Sequence, residues 1–236
     1  MPILAIDTAT LVSSVAVTAG DKVLAELTLQ TKLTHSEVLM PHIKHILEMT
    51  KLEKNKIEAI AISIGPGSFT GLRIGLATAK SIAYALDIPM IGVSTLAALA
   101  YNYPVEGVYL APMLDAQKGN VYVALYTWIN GELKEVYEPV VKPFDAVLEF
   151  SQTLDKPVIL QGEVAVKNAA KIKEAAGNIR LAMPHTIMPR AASVAMLGQA
   201  MMDKGILHDV MSLEPLYIRR SEAEELWEKR NGIKND

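Results

Sequence analysis

The chain has 236 residues, of which 50% are hydrophobic and 21% charged, enough apolar content for a sizeable core in one or two domains and too much for a disordered chain. A formal net charge of −3 gives no basic field able to hold a polyanion, so nucleic acid is not expected as a strong direct ligand, and any RNA would need another subunit to supply the positive surface. The absence of cysteine excludes disulfides, thiolate metal sites and a cysteine nucleophile together; with no basic leader and no apolar run near the ~20 residues that span a bilayer, the chain reads as soluble and cytoplasmic.

In chain order, Ile3 to Thr8 predicts a short apolar strand with Asp7 at its end. Ser13 to Thr18 and Lys22 to Gln30 alternate as two strands joined at Ala19-Gly20-Asp21, a hairpin signal. Thr34-His35-Ser36-Glu37 can cap a helix running to about Met49, with Val38, Leu39, Ile43, Ile46 and Leu47 on one side and with Pro41 predicting a bend or a late start. Ile57 to Ile64 is a nearly continuous apolar run of strand length, which suits a strand covered on both faces. Gly65-Pro66-Gly67-Ser68 stops it, Ser68 or Thr70 can cap the next helix, and along that helix Gly71, Gly75, Ala79 and Ala83 recur every fourth residue. Glycines at those places weaken an isolated helix, so the stripe predicts close approach by another backbone, either the protein's own sheet or a partner helix.

After a short helix from Leu96 to Tyr103 that closes at Pro104, the pattern begins again. Val108 to Leu114 is an apolar strand ending at Asp115, and Val121 to Ile129 and Glu132 to Val140 flank the hairpin turn Asn130-Gly131. Asp7 precedes its hairpin glycine by 13 residues and Asp115 precedes Gly131 by 16. A helix near Phe144 to Gln152, a strand Val158 to Gln161, a helix Val164 to Ala176, a strand near Ile179 and a helix Ala191 to Lys204 complete the second copy of a βββαβαβα unit. The expected division is therefore 1–104 as the first half, 105–212 as the second, smaller half, and 213–236 as a C-terminal tail. In that tail Pro215 to Ile218 can anchor, and Ser221 can cap a charged helix bearing Leu226 and Trp227.

Two facing halves make a cleft where strand ends and glycine loops converge, the usual ligand position in α/β sheets. Gly65, Gly67 and Ser68 could present N–H groups to an anion, although the loop is neither GxGxxG nor a P-loop, which favours a structural turn. Arg73 and Lys80, off the small-residue stripe, could hold a phosphate or a partner carboxylate, or be solvated charges. Asp7 and Asp115 would both face the cleft, as magnesium and phosphoryl chemistry requires, unless they only form turns. His35, His42 and His45 share one helix without an HExxH pattern, so no metal site is assigned, and Ser68 and Ser94 lack the GxSxG elbow of a hydrolase.

The segments IDTAT, HSEVLMPHI, SIGPGSFTGLRIGLATAKSIA, IPMIGVSTL, LDAQKGNVY and PLYIR together resemble the TsaB (YeaZ) family of bacterial proteins for threonylcarbamoyladenosine biosynthesis in tRNA. The resemblance covers most of the chain. It implies an actin-like, sugar-kinase and Hsp70 ATPase type of α/β fold with two duplicated halves. The related transferase TsaD has a HxxxH metal-binding pair after a Gly-Val dipeptide, and here Gly92-Val93 is followed by Thr95 and Leu99 at the matching places. Where TsaD-like proteins place a Gly-Gly pair near adenosine, this chain has Gly162-Glu163, whose carboxylate repels phosphate.

The resemblance thus implies a non-catalytic subunit that binds and activates TsaD, together with the ATPase TsaE and a threonylcarbamoyl-adenylate synthase, touches tRNA only through the complex, and forms a homodimer when isolated. No cofactor of its own is expected, with ATP or ADP held at most weakly or at the boundary with TsaD. The implied interface uses Leu39, Met40, Ile43, Ile46 and Leu47 of one helix. On the next it uses Gly71, Ile74, Gly75, Thr78, Ala79, Ile82 and Ala83. Asp7, Gly65, Gly67, Ser68, Asp115 and Gly162 would then outline a vestigial nucleotide cleft. The alternative is an ATP-dependent phosphotransferase using Asp7 and Asp115; a metallopeptidase is the third class, and its ligand pattern is missing.

Overall fold

A computed structural model describes residues 1–30, 34–175 and 177–218. Ser221, Leu226 and Trp227, with the helix expected around them, lie outside the described residues.

The first half comprises β1 (Pro2–Asp7), β2 (Val12–Ala19), β3 (Lys22–Gln30), α1 (His35–Thr50), β4 (Ala59–Gly65), α2 (Phe69–Leu86), β5 (Met90–Ser94) and α3 (Thr95–Tyr101). The second repeats the sequence of elements as β6 (Tyr109–Asp115), β7 (Asn120–Ile129), β8 (Glu132–Pro143), α4 (Phe144–Gln152), β9 (Val158–Gln161), α5 (Glu163–Lys167), α6 (Ala169–Ala175), β10 (Ile179–Leu181) and α7 (Ala191–Asp203). The sheets are ordered β3-β2-β1-β4-β5 and β8-β7-β6-β9-β10, the same order in both halves. In each, the first strand pairs antiparallel with its hairpin neighbour and parallel with the strand after the first helix.

The apolar run of β4 is explained by cover on both faces. Ile60 and Ile62 face the core formed with Leu39, Ile43 and Ile46 of α1, while Ala59 and Ala61 face Val194 and Ala195 of α7. The chain crosses between the sheets to achieve this. α3 packs most closely on β6 of the second sheet, whereas α7 lies across β1, β2, β4 and β5 of the first.

Two local expectations need correction. The helix around Pro41 begins at His35 and runs to Thr50, with the Glu37 carboxylate accepting from the Thr34 N–H at 2.8 Å; Pro41 and Glu37 are both exposed, so water can serve the carbonyl that proline leaves without a partner. The stretch expected as one helix from Val164 breaks at Asn168, whose side-chain amide donates to the Val164 carbonyl at 2.9 Å and ends α5 before α6 starts.

The small-residue stripe of α2 packs on the protein itself. A Cβ at Gly71 would lie 2.1 Å from the Thr8 carbonyl oxygen, and one at Gly75 2.1 Å from Thr8 Oγ1. The Thr8 hydroxyl donates to the Gly71 carbonyl at 2.8 Å, so the turn after β1 is bolted to the helix at its closest approach. Ala79 and Ala83 continue the stripe into the core with no exposed surface. Gly71→Ala and Gly75→Ala are each expected to lower folding stability by about 2–3 kcal/mol through overpacking. Urea denaturation checks this, and an unchanged midpoint would contradict the packing.

Candidate functional site

The glycine loop between β4 and α2 is clamped from two sides. On one side the Ser68 N–H donates to the Ala9 carbonyl at 2.7 Å, Ser68 Oγ accepts from the Gly71 N–H at 3.2 Å, and a Cβ at Gly67 would lie 2.3 Å from the Ala9 oxygen. On the other side the Leu216 N–H donates to the Ile64 carbonyl at 2.7 Å, and the Leu216 oxygen sits 2.8 Å from where a Gly65 Cβ would be. Two of the N–H groups that an anion would need, those of Ser68 and Gly71, are thus already bonded within the chain, which is the structural-turn use of the loop.

Arg73 and Lys80 hold the C-terminal strap. The Arg73 guanidinium lies 3.8 Å over the Phe69 ring and its Nε donates to the Tyr217 hydroxyl at 3.1 Å, while Phe69 and Tyr217 stack with centroids 5.0 Å apart. Lys80 Nζ donates to the Met211 carbonyl at 2.8 Å. The strap itself is tied down by the buried Leu213 and by a bond from the Gly92 N–H to His208 Nδ1 at 3.2 Å. Nothing in the sequence announces this pairing, because its partners lie 131 and 144 residues apart.

Asp7 and Asp115 hold equivalent positions and make the same turn. Asp7 Oδ1 accepts from the Ala9 N–H at 3.0 Å, and Asp115 Oδ1 from the Gln117 N–H at 2.7 Å. Their surroundings differ: Asp115 is exposed, whereas Asp7 is fully buried. Asp7 Oδ2 and Ser63 Oγ, on adjoining strands, are both buried without a well-formed hydrogen bond. Burial pushes the Asp7 carboxyl from 3.8 up to about 6, against the opposing pull of the Ala9 N–H and the nearby Ser63 hydroxyl. Gly162, which precedes α5, has φ +94°, and a Cβ there would lie 2.1 Å from the Met113 oxygen, so glycine is required on both counts. The next residue, Glu163, pairs with Lys167 at 3.3 Å.

The cavity between the lobes measures about 240 Å³ and is lined by Thr10 to Val12, Leu114, Glu163, Lys167 and Ile187 to Pro189, among others. Asp7 and the glycine loop are not part of its wall. Thr95 and Leu99, both fully buried, sit in α3, and the Gln161 side-chain amide donates to the Leu99 carbonyl at 3.2 Å. His35 Nε2 carries its proton, since it donates to the Thr10 carbonyl at 2.7 Å, and His42 Nδ1 lies 3.4 Å from Ser13 Oγ. Both histidines therefore bind α1 to the β1–β2 region. Burial, then the neighbouring His45, pushes the His42 imidazole below its usual range.

The helix residues expected at an interface divide in two. Leu39, Ile43 and Ile46, like the glycines and alanines of the stripe, are buried in the first lobe's own core, because the sheet beneath needs them to fill it. Leu47, Ile74 and Ile82 pack half-buried at the margin of that core, Thr78 is half-buried with its hydroxyl donating to the Ile74 carbonyl at 2.9 Å, and Met40 is 53% exposed. Two further residues of the same helices escaped the sequence reading: Met49, 66% exposed, and Tyr84, 76% exposed. Tyr84 directly follows the stripe position Ala83.

Because folded Asp7 binds its proton more tightly than the unfolded chain does, its stabilising contribution is present at acid pH and lost as pH rises from about 4 through about 6. That loss amounts to about 3 kcal/mol at most, and Asp7→Asn is expected to remove it. Urea midpoints near pH 5 and pH 7.5 check this: wild type should lose more stability between the two than the variant, and equal losses would contradict a buried, high-pKa Asp7.

The family model described as TsaD, tRNA N6-adenosine threonylcarbamoyltransferase, matches residues 22–227. The tRNA threonylcarbamoyladenosine biosynthesis protein TsaB of Bacillus subtilis is 34% identical over 230 residues, covering 96% of this chain and 98% of that protein. The TsaB protein of Escherichia coli is 33% identical over 236 residues, covering 98% and 99%. YeaZ from Pseudomonas aeruginosa has the same fold, with a TM-score of 0.75 at 23% identity over 92% of this chain and 99% of that one. A ROK hexokinase from Thermus thermophilus aligns with a TM-score of 0.50 at 12% identity over 87% and 100%. The duplicated sheets are thus those of the actin-like, sugar-kinase type, and with identity this high over nearly the whole length the chain belongs to the TsaB (YeaZ) family.

Proposed function

We propose that the protein is a non-catalytic accessory subunit that binds and activates a TsaD-type transferase during threonylcarbamoyladenosine formation in tRNA. The observation that carries this reading is that Met40 and Met49 of α1 and Tyr84 of α2 are 53%, 66% and 76% exposed on helices anchored from beneath. Large apolar side chains held out from rigid elements are what a partner interface requires. The half-buried Leu47, Ile74 and Ile82 pack at the margin of the core beneath the same helices. The glycine stripe serves it indirectly, by seating α2 against Thr8 so that its outer side is fixed.

The cleft supports an accessory role in a different way. Asp7 is buried in a turn, two N–H groups at the glycine loop are bonded to the chain, and the inter-lobe cavity of about 240 Å³ is smaller than the roughly 300 Å³ at which ligand pockets begin. Glu163 and Lys167 pair with each other in the wall of that cavity. In this reading the protein acts in the cytoplasm without a cofactor of its own, any ATP or ADP lies at the boundary with the transferase, and the ATPase TsaE and the threonylcarbamoyl-adenylate synthase complete the system. Contact with tRNA runs through the complex, and the same helix surface makes a homodimer when the transferase is absent.

Met40→Glu and Tyr84→Glu, which add charge at exposed sites, are expected to weaken binding to the transferase from the same organism by about 10-fold or more while leaving the circular dichroism unchanged. Modification of tRNA reconstituted with the variant should fall in parallel. Unchanged affinity in both variants would sink the assignment of this surface.

A further inference from the structure

The two lobes meet through α3, which packs on β4 and β5 of the first sheet and on β6, β7 and β8 of the second, with α7 beside it. Among the described residues the chain passes between the lobes twice, at 102–108 after α3 and at 182–190 between β10 and α7. Asn102 stands at the end of α3, where the first passage begins, and its side chain is spent on the second. Its Nδ2 donates to the Met188 carbonyl at 2.8 Å and to the Thr186 carbonyl at 3.4 Å, and its Oδ1 accepts from the buried Ser193 hydroxyl of α7 at 2.6 Å. Both amide protons are thereby used, each on a backbone carbonyl of the second passage.

The second passage is also tied at its two ends. The Ala182 N–H donates to the Leu160 carbonyl of β9 at 2.9 Å, in the second lobe. At the other end the first turn of α7 is clamped to the first sheet. The Glu26 carboxylate of β3 accepts from Arg190 Nε at 3.0 Å and from the Ala192 N–H at 3.0 Å, and Ser14 Oγ of β2 accepts from the Ala191 N–H at 2.9 Å. The Glu26 side chain is 10% exposed, so its charge meets the positive end of the α7 dipole with little screening by water. Gln161 of β9 holds the same end of α3 through the Leu99 carbonyl.

The inter-lobe cavity of about 240 Å³ depends on this arrangement. Val12 and Gln30 wall it from the first lobe, Leu114 and Glu163 from the second, and Ile187 to Pro189 from the second passage. The Met188 carbonyl that Asn102 holds lies in the middle of that last stretch. We propose that Asn102 is the pin of an inter-lobe lock: it ties the two passages to each other and, with the Glu26 clamp, holds the cleft at a single width. Two lobes joined by two passages have a hinge axis running through them, and bonding one passage to the other removes that freedom. The lock works whether or not α1 and α2 engage a transferase, so it stands apart from the reading above.

The chain has no cysteine, so Lys44→Cys on α1 and Lys173→Cys on α6, both exposed, place one spin label on each lobe of the full-length protein. Double electron–electron resonance on labelled chain diluted into an excess of unlabelled chain reads the distance between the lobes without a contribution from a second copy. The labelled but otherwise unaltered protein should give one narrow distance distribution. Asn102→Ala should widen it at least about two-fold while leaving the circular dichroism unchanged, and Glu26→Gln should widen it to a smaller extent. An Asn102 that served stability alone would lower the urea midpoint on substitution and leave the distribution narrow. That result, or a distribution already broad in the unaltered protein, would overturn the proposal. Should Asn102→Ala fail to fold, Ser193→Ala, which removes only the link to α7, decides by the same measure.

Discussion

The contact between the turn after β1 and the glycines of α2 is the constraint on which the first lobe depends. Thr8 supplies its carbonyl and hydroxyl oxygens, Ala9 its carbonyl, and Gly67, Gly71 and Gly75 supply the missing side chains that let them approach. Each helical glycine weakens α2 by about 1 kcal/mol relative to alanine, and the close packing offsets it. Once the helix is seated in this way, β4 and β5 are fixed beneath it, the outer side of α2 acquires one orientation, and the C-terminal strap finds Arg73, Phe69 and Lys80 in place to receive it.

Much of this architecture was legible in the sequence because it rests on local patterns repeated twice. The alternating strands around Gly20 and Gly131, the apolar run of β4, and the aspartates ending β1 and β6 all survive in the structure with small shifts of boundary. The stripe of small residues was equally visible, yet its partner was not, since spacing shows that something approaches closely and cannot say what. A turn 63 residues earlier in the chain, rather than a second protein, occupies it. For the same reason Leu39, Ile43 and Ile46 could be identified as one helix face without revealing that the face is spent on the lobe's own core.

The duplication also separates what is inherited from what has diverged. Asp7 and Asp115 keep one turn geometry, but the first is sealed in the sheet and the second is open to water. The burial of Asp7, which raises its pKa to about 6, could not be read from a motif, because it depends on strands and helices brought from both ends of the chain. In the same way α1 and α4 descend from matching positions, and the difference of seven residues in their lengths decides whether the sheet surface beside them is covered. Divergence here has changed exposure more than it has changed the path of the backbone.

The crossing of α3 and α7 between the sheets bears on how the protein is made. When the ribosome has released the first 104 residues, every strand of the first sheet exists, yet one of its faces has only α3 to cover part of it until Ala191 to Asp203 emerge. Ile3, Ala5, Ala59 and Ala61 must wait for a helix encoded almost at the other end of the gene. Domains that fold as independent units during synthesis escape such a delay. In this chain the first sheet gains the packing of α7 only after the second lobe has been made.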